Sequence, residues 1–135
     1  MTNLRTTVEG SLQYRGREGQ WSFLLHRLTG LGTLLFLVVH ILDTSTVYFA
    51  PSLYEHAIAI YQSTPFMIGE IGLVFSVLYH GVNGLRIAVF DLFPHFWRER
   101  TQKQSFYATL GLAVLLWLPA AYLMARSMLE HNFGL

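Results

Sequence analysis

Three long apolar segments constrain this chain more than any other feature of its sequence. They cover about residues 22–49, 66–93 and 106–128. As a helix at about 1.5 Å per residue, each is long enough to cross a hydrocarbon layer of about 30 Å. Of the 135 residues 53% are apolar and 13% are charged, whereas about a quarter of a soluble domain is charged. We therefore predict an all-α membrane protein with three transmembrane helices.

The basic residues predict how the chain is oriented. Residues 1–21 contain no apolar run typical of a signal peptide, so they are predicted to be a cytoplasmic segment before one transmembrane domain, residues 22–135. Lys and Arg near helix ends favour the cytoplasmic side. They lie before or at the start of the first helix and between the second and third, at Arg5, Arg15, Arg17, Arg27, Arg98, Arg100 and Lys103. The prediction is a multi-pass protein of a bacterial or archaeal plasma membrane, with its carboxyl terminus outside.

Cysteine usage and net charge exclude several functions. The sequence has no cysteine, so the chain alone forms no disulfide, thiolate zinc site or iron–sulfur cluster. Its formal net charge of +1 argues against nucleic-acid binding.

His80 lies at the centre of the second predicted span, fourteen residues after Phe66 and thirteen before Phe93. At about 100° per residue, Gly84 and Asp91 fall on the same helical face as His80. A glycine one turn from an imidazole leaves a flat slot suited to a haem held through a ring nitrogen. The alternative is a structural histidine, hydrogen-bonded to a neighbouring helix, with Gly84 serving close helix packing.

His26 and Arg27 lie near the start of the first span, after Ser22. Arg27 either extends to the lipid headgroups or lines, with Ser22, a polar pocket that binds a quinone carbonyl or a haem propionate. Ser22 could alternatively cap the helix.

Two further polar pairs lie in the spans. Asp43 follows His40 by three residues, so it either orients the ring of a metal-bound histidine or forms a solvated pair with it at the membrane boundary. Together with His26, this pair could also form a proton relay. Arg86 and Asp91 are predicted to pair with each other or with a neighbouring subunit.

Two segments resemble a known family. WSFLLHRLTG, residues 21–30, is similar to the S-x-x-H-R-x-T/S-G motif of the succinate dehydrogenase cytochrome b subunit, a membrane anchor of complex II. HGVNGLRIAVFD, residues 80–91, resembles that family's H-x-x-x-G-x-R-H-x-x-x-D motif. The resemblance extends over nearly the whole chain.

The resemblance implies roles for individual residues. His80 matches the axial ligand of a b-type haem, whose opposite ligand comes from a second small anchor subunit. Gly84 matches the glycine that faces the ring, His26 a histidine beside the propionates, and Arg27 the arginine near quinone and propionates. Some anchors of this type hold two haems, and His40 is the candidate ligand for a second one.

The resemblance also implies a larger complex. The chain would be half of a heterodimeric haem-binding bundle that holds a flavoprotein and an iron–sulfur subunit, through which electrons pass from succinate to a membrane quinone. The chain itself has no flavin site and is not expected to oxidise succinate. Two departures stand out: Ser22 precedes His26 by four residues instead of three, and Ile87 replaces a histidine. Alternative functions are a haem-free structural anchor and the anchor of a quinol:fumarate reductase.

Overall fold

The computed structural model describes Gly10 and residues 17–134. Residues 17–134 form four α-helices and no strand: α1 (Arg17–Phe49), α2 (Pro51–Tyr61), α3 (Thr64–Leu92) and α4 (Glu99–Phe133), with a 3₁₀ turn (Pro94–Phe96) between α3 and α4. Helices α1, α3 and α4 are each long and apolar enough to cross a membrane. The prediction of an all-α protein with three spans is confirmed.

The spanning helices are longer than the apolar segments that predicted them. Helix α1 begins five residues before residue 22, and α4 begins seven residues before residue 106 and ends five after residue 128. The added turns contain charged residues such as Glu18, Glu99 and Glu130. Apolar length measures only the part of a helix that lies in hydrocarbon, whereas its backbone hydrogen bonds continue into water.

Helix α2 occupies a segment that the sequence predicts to be a connecting loop. Pro51 lies in its first turn, where a missing N–H costs no hydrogen bond. Its 11 residues give a length of about 16 Å at about 1.5 Å per residue, too short to span. At its end, interaction of the Tyr61 hydroxyl with the Asp43 carboxylate of α1, together with some burial, raises the pKa of Tyr61.

Helix α3 is the central element, because it packs against both α1 and α4. The side chains buried within the chain are mostly polar or small, with Tyr79 and Phe106 as the large ones: Ser22, Thr29, Tyr79, Asn83, Phe106, Thr109 and Ala113. Large apolar side chains lie outside, for example Leu35 at 63% and Leu115 at 67% exposure. Such a surface is suited to contact with lipid or other subunits.

The start of α1, the end of α3 and the start of α4 meet at one end of the bundle, which we call the basic end. Lys103 of α4 forms a 3.1 Å salt bridge with Glu18 of α1 there. Nearer the start of α3, the indole Nε1 of Trp117 on α4 donates a 2.9 Å hydrogen bond to the Ile71 carbonyl of α3.

Candidate functional site

His26 of α1 and His80 of α3 meet where the two helices cross. Their rings are stacked, with centroids 4.2 Å apart and planes inclined by 8°. Both were predicted from the sequence to be cofactor-binding residues, but a contact between them was not predicted. The contact depends on how α1 is rotated against α3, which the periodicity of a single helix does not reveal.

A glycine on the opposite helix faces each of these rings. A Cβ atom built on Gly84 would lie 3.7 Å from Cε1 of His26, and one built on Gly30 would lie 2.7 Å from Cε1 of His80. Gly84 therefore adjoins His26 instead of the ring of His80 on its own helix. Gly30 leaves the space that the His80 imidazole occupies.

The His80 ring is also held by a hydrogen bond. Its Nδ1 lies 3.1 Å from the backbone carbonyl oxygen of His26. Since a carbonyl only accepts, Nδ1 must carry the proton, and in the neutral ring Nε2 then has the free lone pair. A carbonyl partner on one ring nitrogen is the usual arrangement behind a histidine that binds metal through the other.

Arg86 joins three helices at the basic end. Its Nη1 donates to Ser22 Oγ of α1 at 2.7 Å and to Asn83 Oδ1 at 3.1 Å. Its Nε donates to Ser105 Oγ of α4 at 2.8 Å, and its Nη2 donates to the side-chain oxygen of Gln102 at 2.7 Å and to its carbonyl at 3.2 Å. All of these acceptors are neutral.

Arg86 therefore pairs differently from the sequence prediction. The predicted partner within the chain, Asp91, is exposed, and the described residues show no ion pair between the two. At about 100° per residue Arg86 lies about 120° away from His80 around α3, and its acceptors outside α3 are Ser22 of α1 and Gln102 and Ser105 of α4. Polar residues inside apolar segments were the available signal for Asn83 and Ser22; Gln102 and Ser105 lie in a stretch too polar to stand out.

Ser22 is buried in this network. It is 6% exposed, accepts from Arg86 and donates to Asn83 at 3.2 Å. Helix α1 begins at Arg17, so Ser22 lies inside the helix and is not its cap. The single hydroxyl proton of Ser22 is therefore already engaged in the hydrogen bond to Asn83.

Asn83 is fully buried, and its amide orientation is fixed. Its oxygen accepts from both Arg86 and Ser22, and a flipped amide would turn N–H groups toward a donor-only guanidinium. The amide nitrogen then has no hydrogen-bond partner among the described residues, and the same holds for the Tyr79 hydroxyl and for Nδ1 of His26.

Arg27 lies on a face of α1 that this chain leaves open. Its side chain is exposed, and its guanidinium carbon lies 5.3 Å from the centroid of the Phe23 ring. It has no ion pair in the part of the chain that the structure describes. A guanidinium in this position is available to an anionic or carbonyl ligand.

His40 is separate from the crossing of α1 and α3. It is exposed and stacks on Phe36 of its own helix, with centroids 5.4 Å apart. Asp43 raises the pKa of Tyr61 on α2, and no hydrogen bond joins Asp43 to His40 within residues 17–134. The described residues also contain no group of three His, Cys, Asp or Glu side chains that could hold a bare metal ion.

Three apolar spans joined by an interior polar network, with an imidazole pair at a helix crossing, define a membrane-embedded helical subunit. The family described as succinate dehydrogenase/fumarate reductase transmembrane subunit matches residues 1–120, and the chain belongs to it. It is a membrane anchor subunit of such an enzyme complex, as its resemblance predicted.

Two curated relatives agree. The succinate dehydrogenase 2 membrane subunit SdhC of Mycobacterium tuberculosis is 35% identical over 120 residues, which cover 87% of this chain and 85% of that protein. The succinate dehydrogenase hydrophobic membrane anchor subunit of Halobacterium salinarum is 30% identical over 95 residues, covering 70% and 71% of the two chains.

Proposed function

We propose that this chain binds one b-type haem through His80 and contributes to a quinone site beside Arg27, as the anchor of a succinate:quinone oxidoreductase. The observation that supports haem binding is the bond from His80 Nδ1 to the His26 carbonyl. It leaves Nε2 as the nitrogen that can bind iron. His80 would hold the haem together with a residue of a second small anchor subunit.

When bound, the haem would supply a one-electron carrier within the membrane. The residues of this chain would position it: His80 as ligand, with Gly30 and Gly84 allowing α1 and α3 to approach closely. Nδ1 of His26, buried without a partner among the described residues, would be available to a propionate.

Arg27 would bind the quinone. Its exposed guanidinium can donate a charge-assisted hydrogen bond to a quinone carbonyl and polarise it. Ser22 would contact the quinone only by giving up its bond to Asn83, so we assign it a supporting role through Arg86. The basic end would face the cytoplasm, where the iron–sulfur and flavoprotein subunits would deliver electrons from succinate, or receive them in the fumarate-reducing direction.

An absorption spectrum of the purified complex tests the haem proposal. We expect a b-type band with one haem per complex, which His80→Ala abolishes and which His56→Ala on α2 leaves unchanged. His40→Ala should also leave it unchanged, whereas halving of the band would reveal a second haem ligated there. A complex without the band would instead support a haem-free structural anchor, in which the His26–His80 stack serves helix packing.

Quinone reduction tests the role of Arg27. A hydrogen bond to a charged group contributes about 1.5–3 kcal/mol, so Arg27→Ala should raise the KM for quinone by about tenfold or more. Succinate oxidation with a soluble acceptor should stay unchanged, and Arg100→Ala, an exposed arginine at the same end, is the matched control. Equal loss with both acceptors would contradict the assignment.

A further inference from the structure

We propose that Gly30 is a positioning residue for His80, because only a residue without a Cβ lets the imidazole reach the His26 carbonyl that fixes its tautomer. This inference rests on the proposed function for its effect on a haem, whereas the tautomer itself can be tested without one. Nothing in the spacing of the histidines pointed to it, since Gly30 lies on a different helix from His80.

The space at Gly30 is more restricted than at any other described glycine. A Cβ there would lie 2.7 Å from Cε1 and 3.0 Å from Nδ1 of His80, closer than ordinary carbon contacts of about 3.5–4.0 Å. At Gly84 the nearest atom would be 3.7 Å away, at Gly32 it would be 3.4 Å away, and at Gly81 nothing lies within 4 Å.

The His80 ring cannot move away from such a methyl group without losing a contact. The His26 ring stacks on it at 4.2 Å, and its Nδ1 is tied to the His26 carbonyl at 3.1 Å. Both contacts come from the same residue of α1, one turn before Gly30. A methyl group at position 30 therefore separates the ring from the carbonyl, or separates the two helices.

Loss of that hydrogen bond would change the chemistry of Nε2. The carbonyl selects the ring form with the proton on Nδ1, and the bond increases the basicity of the other nitrogen. Without it the neutral ring can also carry its proton on Nε2, a form that cannot bind iron. Removal of such an outer partner typically weakens metal binding about 10–100-fold.

The test compares Gly30→Ala with Gly32→Ala in the purified complex. Gly32 is a matched control because it lies on the same helix and faces α3 at Ser76 without touching His80. We expect Gly30→Ala to lower haem affinity about 10–100-fold, to raise the midpoint potential of the remaining haem and to shift its low-spin electron paramagnetic resonance signal. Gly32→Ala should leave the potential and the signal unchanged, and a wild-type potential and signal in Gly30→Ala would overturn the proposal.

A second measurement decides the proposal independently of haem content. In complex labelled with ¹⁵N-histidine, with His80 assigned by its disappearance in His80→Gln, nitrogen NMR should show a hydrogen-bonded Nδ1–H in the wild type. Gly30→Ala should weaken that bond or give a mixture of tautomers. A wild-type His80 protonated on Nε2 alone would refute the positioning role even if Gly30→Ala does not fold. A wild-type complex that lacks haem but shows the Nδ1–H signal would refute the proposed function alone.

Discussion

Substituting Arg86 with lysine should destabilise the helix bundle although the positive charge is retained. The guanidinium donates from three nitrogens in different directions and reaches Ser22 on one helix and Ser105 and Gln102 on another. An ammonium donates from a single point, so we expect two or three interhelical bonds to be lost. Such bonds contribute about 0.6 kcal/mol each in membrane proteins, so the loss is about 1.5 kcal/mol, or about tenfold in the folded-to-unfolded ratio.

The same substitution at Arg126 is the control for this prediction. Arg126 has one exposed salt bridge, to Glu130 one turn later on α4, and such pairs contribute about 0.3–0.5 kcal/mol. The assay is an SDS titration of the purified complex in mixed micelles, followed by protease accessibility of the chain. If Arg86→Lys unfolds at the same SDS fraction as Arg126→Lys, the three-helix role of Arg86 is refuted.

Two substitutions at Asn83 test the orientation of the network. Asn83→Asp keeps the oxygen that accepts from Arg86 and removes the amide nitrogen, which has no partner among the described residues. It also adds a carboxylate beside the Arg86 guanidinium, whose acceptors are otherwise neutral. Asn83→Leu removes the acceptor and leaves Arg86 and Ser22 with unmet hydrogen bonds, at a cost of about 1–3 kcal/mol. The same titration should rank the Asp variant above the Leu variant, and the reverse order would contradict the assigned amide orientation.

Two contacts outside this network give further predictions. Trp117→Phe keeps an aromatic ring but removes the donor to the Ile71 carbonyl, so it should cost about 0.6–1.7 kcal/mol in the same titration; an unchanged midpoint would show that the bond contributes nothing. Because the Asp43 carboxylate raises the pKa of Tyr61, the neutral phenol stabilises the fold below the unfolded pKa of about 10. This contribution is lost as the pH rises through the raised pKa of the folded state. An ultraviolet pH titration of wild type against Tyr61→Phe should show that the tyrosine missing from the variant ionises above the unfolded pKa of about 10. Ionisation at or below that pKa would contradict the effect of Asp43.

The sequence predicted the spans better than the segments beside them. Apolar length identifies helices that lie in hydrocarbon, because charged groups there are costly, and this located α1, α3 and α4. It carries no information on where a helix ends in water, so the polar turns around Glu18 and Glu99 were missed. Helix α2 was missed because a segment of only 11 residues with a proline at its start is difficult to distinguish from a connecting loop by sequence.

The pairing of residues between helices was the part of the site that the sequence did not reveal. Periodicity placed His80 and Gly84 on one face of α3, which led to the interpretation that this glycine faces the ligand of its own helix. In the structure each histidine instead faces the glycine of the other helix, His26 at Gly84 and His80 at Gly30. In both helices the histidine precedes the glycine by four residues, about one turn. Because α1 and α3 meet through both His–Gly pairs, the two contacts together fix the rotation of the helices and their axial position relative to each other. A larger residue at either glycine would therefore disturb both imidazoles, because each ring is also the stacking partner of the other.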